Sequence, residues 1–582
     1  MKARRRTENS VSSRVESMED LPEALNRLTA RLETLEQRVY ALEHLSELAS
    51  SQPAPEPTRP HPAPIAKTLP FAQAGVFAVL GKALLGIAGA YLLRAVAESG
   101  TLPRLAVVGV AIVYALLWLV SASRTRAGTW FASATYACTS ALILAPMLWE
   151  LTLRFKVLTP AGAAGVLSIF VCAATALAWK RNLTSIYWVA NAAAAVAALT
   201  LSIATHDMAP FIAALLLMVL VSEFAASRNR ELSIRPLVAT AADLAIWALI
   251  FIYSSPQSTR GDYPALGAAL LLVPGFMLFL INGSIVAFRT VLKGQRVTVF
   301  EAVQTIIAFL LAATGLLYFL PHAGATALGV LCLVLAAAGY AATFIYFDRA
   351  ADQRNYRVFA TWSVALLVSG SWLCLPTLVM VVFLGVAAVA ATALGALRSR
   401  LTLEIHGMAY LLAATAASDL LNFCFNALAG ELPGAPAPGV CLVATSAVLC
   451  YAVGKPRLSE LWQRQILHLA TASLALGAVT ALLVEGLMGL AAFWVHPGAQ
   501  HLAFIRTLTL CAAALALAFC GARWHRLELT RTGYATLALV AVKLVYEDLR
   551  HGHLAYIAAS IFLVALTLIA VPRLTRIRQK SE

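Results

Sequence analysis

The sequence predicts an all-α fold, a polytopic helical membrane protein with about 18 transmembrane helices and an N-terminal cytoplasmic coiled-coil helix. Of 582 residues, 60% are apolar and 13% are charged, and the mean hydropathy is +0.78. Soluble domains have roughly 45–50% apolar and about 25% charged residues, so a soluble multidomain enzyme is excluded. From Phe71 onward, apolar runs of about 17–25 residues alternate with short polar connections, and about 20 residues cross a bilayer as a helix.

Segment 1–50 is predicted to be a cytoplasmic coiled coil. Arg31 and Arg38 fall at g positions, and Glu36 and Glu43 fall at the e positions that face them in a parallel pair. This pattern leaves two interpretations open: contact with a second copy or a protein partner, or one amphipathic helix on the chain's own cytoplasmic face. The apolar seam steps by four and three residues through Leu21, Leu25, Leu28, Leu32, Leu35, Val39 and Leu42.

Segment 51–70 is predicted to be an extended linker. It contains seven prolines, which disfavour a helix and favour polyproline II. At about 3 Å per residue, such a spacer holds the coiled coil roughly 50 Å or less from the bilayer.

Segment 71–572 is predicted to be the multi-pass transmembrane domain, followed by a basic cytoplasmic tail at 573–582. The additional apolar piece 486–495 is interpreted as re-entrant or interfacial. The predicted spans are 72–97, 105–121, 130–149, 161–179, 185–204, 209–226, 235–254, 264–288, 299–320, 325–347, 356–375, 377–397, 403–421, 438–453, 465–484, 502–521, 532–549 and 553–571.

The distribution of basic residues predicts the orientation. With a cytoplasmic N-terminus, the inward connections and the tail hold 25 Lys and Arg residues, whereas the outward connections hold 5. Positive charge marks the cytoplasmic side, and one missed or false span would invert every later connection. An even number of spans follows, with both termini cytoplasmic, in the inner membrane of a bacterium.

Three features together resemble a family of predicted bacterial membrane proteins classed as a domain of unknown function. They are the coiled coil followed by the proline-rich spacer, the small-residue-rich first span closed by Arg94, and the segment 539–549, in which Lys543 precedes Asp548 by five residues. The resemblance covers nearly the whole chain and departs from the family at Lys82, where an apolar residue is expected. It implies an architecture and no activity, substrate or catalytic residue.

Ionisable residues inside predicted spans are the candidate transport residues, since each costs roughly 2.5–3.5 kcal/mol to insert. Asp243 lies near the middle of its span and is expected to face the bundle interior beside a polar group or a water-filled cavity. Lys543 is deep in its span, and Glu547, four residues on, is placed to pair with it. Lys82 either snorkels to the headgroups or pairs between helices, whereas Asp419 lies near an outer end. Asp243 and Lys543 either form a buried polar path for a proton or charged substrate or are structural, as a pair or with a protonated Asp243 hydrogen-bonded to a neighbour.

Other polar and small residues carry weaker expectations. Glu301 and Arg506 are interpreted as interfacial. Asn191, Asn282 and Gln304 are expected to bond across helices. Gly86 and Ala90 form a small-xxx-small step that favours close helix contact. Gly and Pro residues within or beside predicted spans mark either broken helices or ordinary kinks. They are Pro146, Pro274-Gly275 and Pro376.

The sequence contains no motif for a catalytic, metal or cofactor site. It lacks a phosphate loop and an HExxH pair, its nine cysteines form no CxxC, and His551 and His553 are interpreted as helix-end residues. The basic charge lies between apolar runs, so the lipid bilayer and not nucleic acid is the expected partner. The first functional hypothesis is a transporter of a solute or lipid-linked intermediate. The alternatives are a non-catalytic scaffold acting through the coiled coil and, third, an intramembrane enzyme.

Overall fold

Nineteen α-helices make up the part of the chain that this computed structural model describes, and that part contains no strand. Residues 1–33 and 35–70, and with them the predicted coiled-coil seam and linker, lie outside the described part. The chain divides into the units Met1–Ala74 and Gly75–Glu582. The described residues are 34, 71–99, 103–125, 130–228, 234–256, 261–347, 353–430, 434–454, 462–494, 496, 498–551 and 554–576.

The helices follow one another with short connections, and four of them end in a π-helical turn. The π-turns are Glu150–Arg154, Phe288–Leu292, Thr343–Phe347 and Leu544–Asp548. The helices are α1 Phe71–Ser99, α2 Arg104–Ser123, α3 Trp130–Trp149, α4 Pro160–Arg181, α5 Thr184–Ala204, α6 Ala209–Ser227, α7 Arg235–Ser254, α8 Ala268–Ala287, α9 Val299–Phe319, α10 Gly324–Ala342, α11 Gln353–Cys374, α12 Thr377–Arg398, α13 Leu401–Ala417, α14 Leu420–Leu428, α15 Pro438–Val453, α16 Trp462–Ala492, α17 Ala499–Trp524, α18 Leu527–Lys543 and α19 Leu554–Arg576.

The described helices confirm a multi-pass membrane protein. Fifteen of them are long and apolar enough to cross a bilayer, or sixteen when the bent pair α13–α14 counts as one span. A helix occurs at each of the eighteen predicted positions, but α15 has 16 residues and α18 has 17 before its π-turn. The count of eighteen spans therefore stays a prediction.

The predicted span 403–421 covers most of α13 and the first two residues of α14, and the two helices meet at 69°. Asp419 has a φ of 58° at the junction, and a left-handed residue ends a right-handed helix. The prolines do not mark this break: α3 and α8 continue through Pro146 and Pro274, and Pro376 precedes α12. The apolar piece at 486–495 is in its first part a continuation of α16, which ends at Ala492.

Small residues allow close approach between helices. Alanine dominates the largest core, which α2 to α9 share, and a second core is formed by α12, α13, α15 and α16. The expected close contact at Gly86 is present: Tyr114 donates to its carbonyl at 3.0 Å, and a Cβ there would lie 2.4 Å from the Trp118 ring. Packing of this kind is typical of membrane helices.

Three helix pairs share one turn geometry. Asn182, Ser399 and His525 follow α4, α12 and α17 with φ of 55°, 55° and 53°, and each caps the carbonyl four residues back. Two of these turns also share a sequence, because residues 395–409 and 521–535 both read G-A-x3-R-L-x-L-x3-G-x-A. The chain therefore contains an internal repeat of a helical hairpin.

Candidate functional site

The candidate site is a groove between α7 and α9, with Asp243 at its floor. The two helices run parallel, since Arg235 contacts Glu301 at one end, and Tyr318 donates to the Ser254 carbonyl at the other. Asp243 lies eight residues after Arg235, about 12 Å along the helix. It is therefore well inside the span.

Gln304 of α9 holds the Asp243 carboxylate. Its Nε2 donates to Oδ1 at 2.9 Å and to Oδ2 at 3.1 Å. Gln304 is buried, at 4% exposure, whereas Asp243 is half-buried. The expected polar neighbour from another helix is thus present, and the carboxylate borders a groove as well as the bundle interior.

The groove has a volume of about 690 Å³ and mostly apolar walls. Residues on its rim are exposed on the outer surface of the bundle: Val299 by 70%, Trp247 by 56% and Leu244 by 51%. In a bilayer this rim contacts hydrocarbon, so the groove opens sideways. Its lining is Pro236, Thr240, Asp243, Leu244, Trp247, Val299, Phe300, Val303, Gln304, Ile307 and Leu311.

A buried set of charges, here called the Glu301 cluster, lies at the Arg235 end of the groove. It consists of Glu223, Arg235, Arg289 and Glu301. Arg235 donates to Glu223 at 2.8 Å and to Glu301 at 3.1 Å, and Arg289 donates to Glu301. Thr298 and Glu301 form a capping box that starts α9. The two cations and two anions balance. Glu301 is 4% exposed and lies in the first turn of α9, near the helix end as predicted, and its interfacial depth stays a prediction.

A second set, here called the Arg506 cluster, joins the ends of α14, α17 and α18. It consists of Arg506, Thr507, Lys543, Glu547 and Asp548. Arg506 bonds Glu547 at 2.7 Å, and Lys543 bonds Asp548 at 2.6 Å and Thr507 at 2.7 Å. Lys543 also forms the predicted ion pair with Glu547, at 3.4 Å. Arg506 is 2% exposed, so it is buried within the protein, and its interfacial depth stays a prediction.

Arg506 also closes the C-terminus of α14. Its guanidinium donates to the carbonyls of Ala427 at 2.7 Å and of Asn426 and Gly430 at 2.8 Å. The last carbonyls of a helix have no partner within the helix and carry the negative end of its dipole. A buried cation therefore has a structural reason to lie there.

The candidate transport residues fall in separate places. Asp243 bonds Gln304 near the Glu301 cluster, whereas Lys543 and Glu547 belong to the Arg506 cluster. The structure therefore does not join Asp243 and Lys543 through a shared partner among the described contacts. Lys82 is exposed on α1, and Asp419 is exposed at the α13–α14 bend, where Asn422 donates to it at 3.1 Å.

Of the three amide side chains expected to bond across helices, one does so. Gln304 bonds across helices, whereas Asn191 and Asn282 donate to carbonyls of their own helices, at 2.8 and 2.9 Å. An amide four residues beyond a carbonyl reaches it within one turn, which satisfies the side chain locally.

Three polar contacts were not predicted from the sequence. Tyr340 bonds His406 Nδ1 at 3.0 Å and also the Tyr410 hydroxyl, and Glu404 pairs with Arg464 at 3.3 Å. Part of the signal is in the sequence, since His406 and Tyr410 are four residues apart and share one face of an apolar run. In the described part of the chain, no group of three His, Cys, Asp or Glu is placed to hold a metal ion.

No family model, curated protein or solved structure matches this chain. The resemblance to a bacterial family of unknown function stays a prediction.

Proposed function

We propose that the protein is a transporter of the bacterial cytoplasmic membrane, with both termini in the cytoplasm, in which Asp243 binds a coupling proton or a cationic substrate. One observation carries the proposal: a carboxylate deep in a span borders a groove and is held by a neutral amide. Asp243 forms no ion pair within the part of the chain that the structure describes. An ionisable group kept inside a membrane at such cost typically marks an ion or substrate pathway.

Other buried acids provide the contrast. Glu223 and Glu301, next to the groove, are matched by Arg235 and Arg289, and Glu404 on α13 is matched by Arg464. In such pairs each charge is compensated by its partner, which leaves none for a ligand. Asp243 has no cationic partner of this kind within the described residues.

Proton uptake into vesicles tests this proposal. The full-length protein is reconstituted into liposomes with an internal pH dye, and a potassium diffusion potential, negative inside, is imposed. We expect faster internal acidification than in protein-free vesicles, and a return to the protein-free rate with Asp243→Asn. The substitution keeps the size of the side chain and one acceptor oxygen for Gln304, and it removes the titratable group.

Asp262→Asn is the matched control, because it makes the same chemical change at an exposed residue in the connection between α7 and α8. It should acidify like the wild type. Equal rates in wild-type and protein-free vesicles would contradict proton-coupled transport. Equal rates in the wild type and Asp243→Asn would remove Asp243 from the mechanism. If the protein is instead a scaffold acting through segment 1–50, wild-type and protein-free vesicles should acidify at equal rates.

A further inference from the structure

We infer that the α7–α9 groove binds a membrane-dissolved amphiphile with a cationic amine head, which reaches Asp243 sideways from the bilayer. This inference rests on the proposed function and names the chemical class of its substrate. Three observations carry it: the groove opens toward lipid, its only net charge is negative, and its length along α7 suits an alkyl chain.

The rim of the groove indicates entry from hydrocarbon. Val299, Trp247 and Leu244 are more than half exposed and apolar. A site entered from water would need polar residues at its mouth, since apolar surface next to water is unfavourable. The lining runs along α7 from Pro236 to Trp247, about 17 Å of helix at 1.5 Å per residue. The volume of about 690 Å³ lies within the range of about 300–1,000 Å³ for small-molecule sites.

Charge complementarity selects an amine. The Glu301 cluster holds two acidic and two basic side chains, so it contributes no net charge to the end of the groove. Asp243 then leaves the groove with one negative charge. An anionic head would be repelled by this carboxylate, and a neutral head would leave it uncompensated.

The carboxylate also has room for a donor. A carboxylate offers about four lone-pair positions, and the single Nε2 of Gln304 supplies two hydrogens at most. The remaining positions suit an ammonium group, which has three donors. Gln304 is buried and holds the carboxylate in place, which reduces the entropy lost when the ligand binds.

A second lateral groove provides an internal control. It lies between α3 and α5, has a volume of about 500 Å³ and is lined by alanines, with Leu142, Trp149 and Thr200 among its other residues. No charged side chain lines it. An alkyl chain that enters this groove should do so whatever its head group.

Photolabelling in nanodiscs of phosphatidylcholine tests the inference. Three probes carry the same diazirine-bearing long alkyl chain and end in a primary amine, an alcohol or a carboxylic acid. After irradiation, labelling is quantified by mass spectrometry on peptides from 235–254 and 299–319. We expect the amine to label these peptides at least about tenfold more than the alcohol or the acid, the scale of one desolvated charge pair.

Asp243→Asn should lower amine labelling to the level of the alcohol, and Asp243→Glu should retain most of it. Asp262→Asn, at an exposed residue, should change nothing. Labelling of the α3–α5 groove should be equal for all probes and unchanged in every variant, which reports that each variant is folded.

Several results would overturn the inference. Equal labelling by the three probes, or full amine labelling of folded Asp243→Asn, would show that Asp243 does not select the head group. Displacement of the long-chain amine by butylamine at equal concentration would show entry from water. Proton uptake without amine labelling would leave the proposed function standing and the inference wrong, whereas amine labelling without proton uptake would exclude the coupling proton and leave Asp243 as the site of a cationic substrate.

Discussion

At the scale of single residues, spacing on an ideal helix predicts only part of the Arg506 cluster. The Lys543–Glu547 pair follows from the i,i+4 rule and is present. The closer pair, Lys543 with Asp548, is five residues apart and falls on a π-turn, Leu544–Asp548. A π-helix brings residues five apart together, and no local sequence pattern announces one here. The Asp243–Gln304 bond depends on the packing of α7 against α9, which the sequence does not specify.

Arg506 should be the least replaceable residue of its cluster. Its planar fork reaches one carboxylate and three carbonyls, a geometry that an ammonium cannot reproduce. We expect Arg506→Met to cost about 3–5 kcal/mol of stability, because it leaves Glu547 without its strongest partner and the end of α14 uncapped. We expect Arg506→Lys to recover only part of this loss. Thermal unfolding in detergent measures both effects.

Arg398→Met is the control for Arg506, since Arg398 is exposed at the end of α12. The free energy of unfolding of Arg398→Met should lie within about 0.5 kcal/mol of the wild-type value. If Arg506→Met unfolds at the wild-type temperature, the cluster does not hold α14 in place.

At the scale of helices, the repeated hairpin shows how a short sequence pattern fixes a tight turn. After the left-handed residue, Arg400 lies over the ring of Tyr356 at 5.8 Å, and Arg526 lies over the ring of Tyr451 at 5.0 Å. Both distances are within the range of cation–π contacts. The helix positions are predictable from hydropathy, and this turn is predictable from the pattern G-A-x3-R-L-x-L-x3-G-x-A once the repeat is noticed. The α13–α14 bend is not, because Asp419 is an ordinary polar residue in sequence.

The glycines that open the two repeated turns should not tolerate a methyl group. A Cβ at residue 395 would lie 3.0 Å from the Glu404 backbone nitrogen, and one at 521 would lie 2.8 Å from that of Thr530. Backbone cannot move aside as a side chain does, so we expect Gly395→Ala and Gly521→Ala each to cost about 1–3 kcal/mol. The midpoint of thermal unfolding should fall in both.

Gly477→Ala is the matched control, because a Cβ there meets nothing within 4 Å inside α16. It should be neutral or stabilising by about 0.5–1 kcal/mol, since alanine favours a helix over glycine. Unfolding of Gly521→Ala at or above the wild-type midpoint would show that the hairpin absorbs the added methyl group.

At the scale of the whole molecule, contacts between helix ends agree with the predicted alternation of inward and outward connections. Hydropathy gives the order of the helices, and loop charge predicts their direction, although the sequence does not show which helices are neighbours. The contacts that join ends on the same predicted side are Arg94–Glu150, Arg235–Glu301, Glu404–Arg464, Tyr451–Glu528 and Arg506–Glu547.

Topology reporters test the orientation itself. The 25 basic residues on the predicted inner side, against 5 on the outer, predict that a reporter fused after Lys580 is cytoplasmic. A reporter inserted within 256–263 should be outside. A C-terminal reporter active only outside the cytoplasm would mean that the number of spans is odd.

The unequal lengths of α15 and α16 have a consequence for the surrounding membrane. At 1.5 Å per residue, the 16 residues of α15 measure about 24 Å and the 31 residues of α16 about 46 Å, against a hydrocarbon core of about 30 Å. A flat bilayer of uniform thickness does not match both, so α16 tilts or the lipid thins beside α15. Each arrangement has an elastic cost that depends on acyl chain length. We therefore expect the protein to partition toward membrane regions whose thickness lowers that cost.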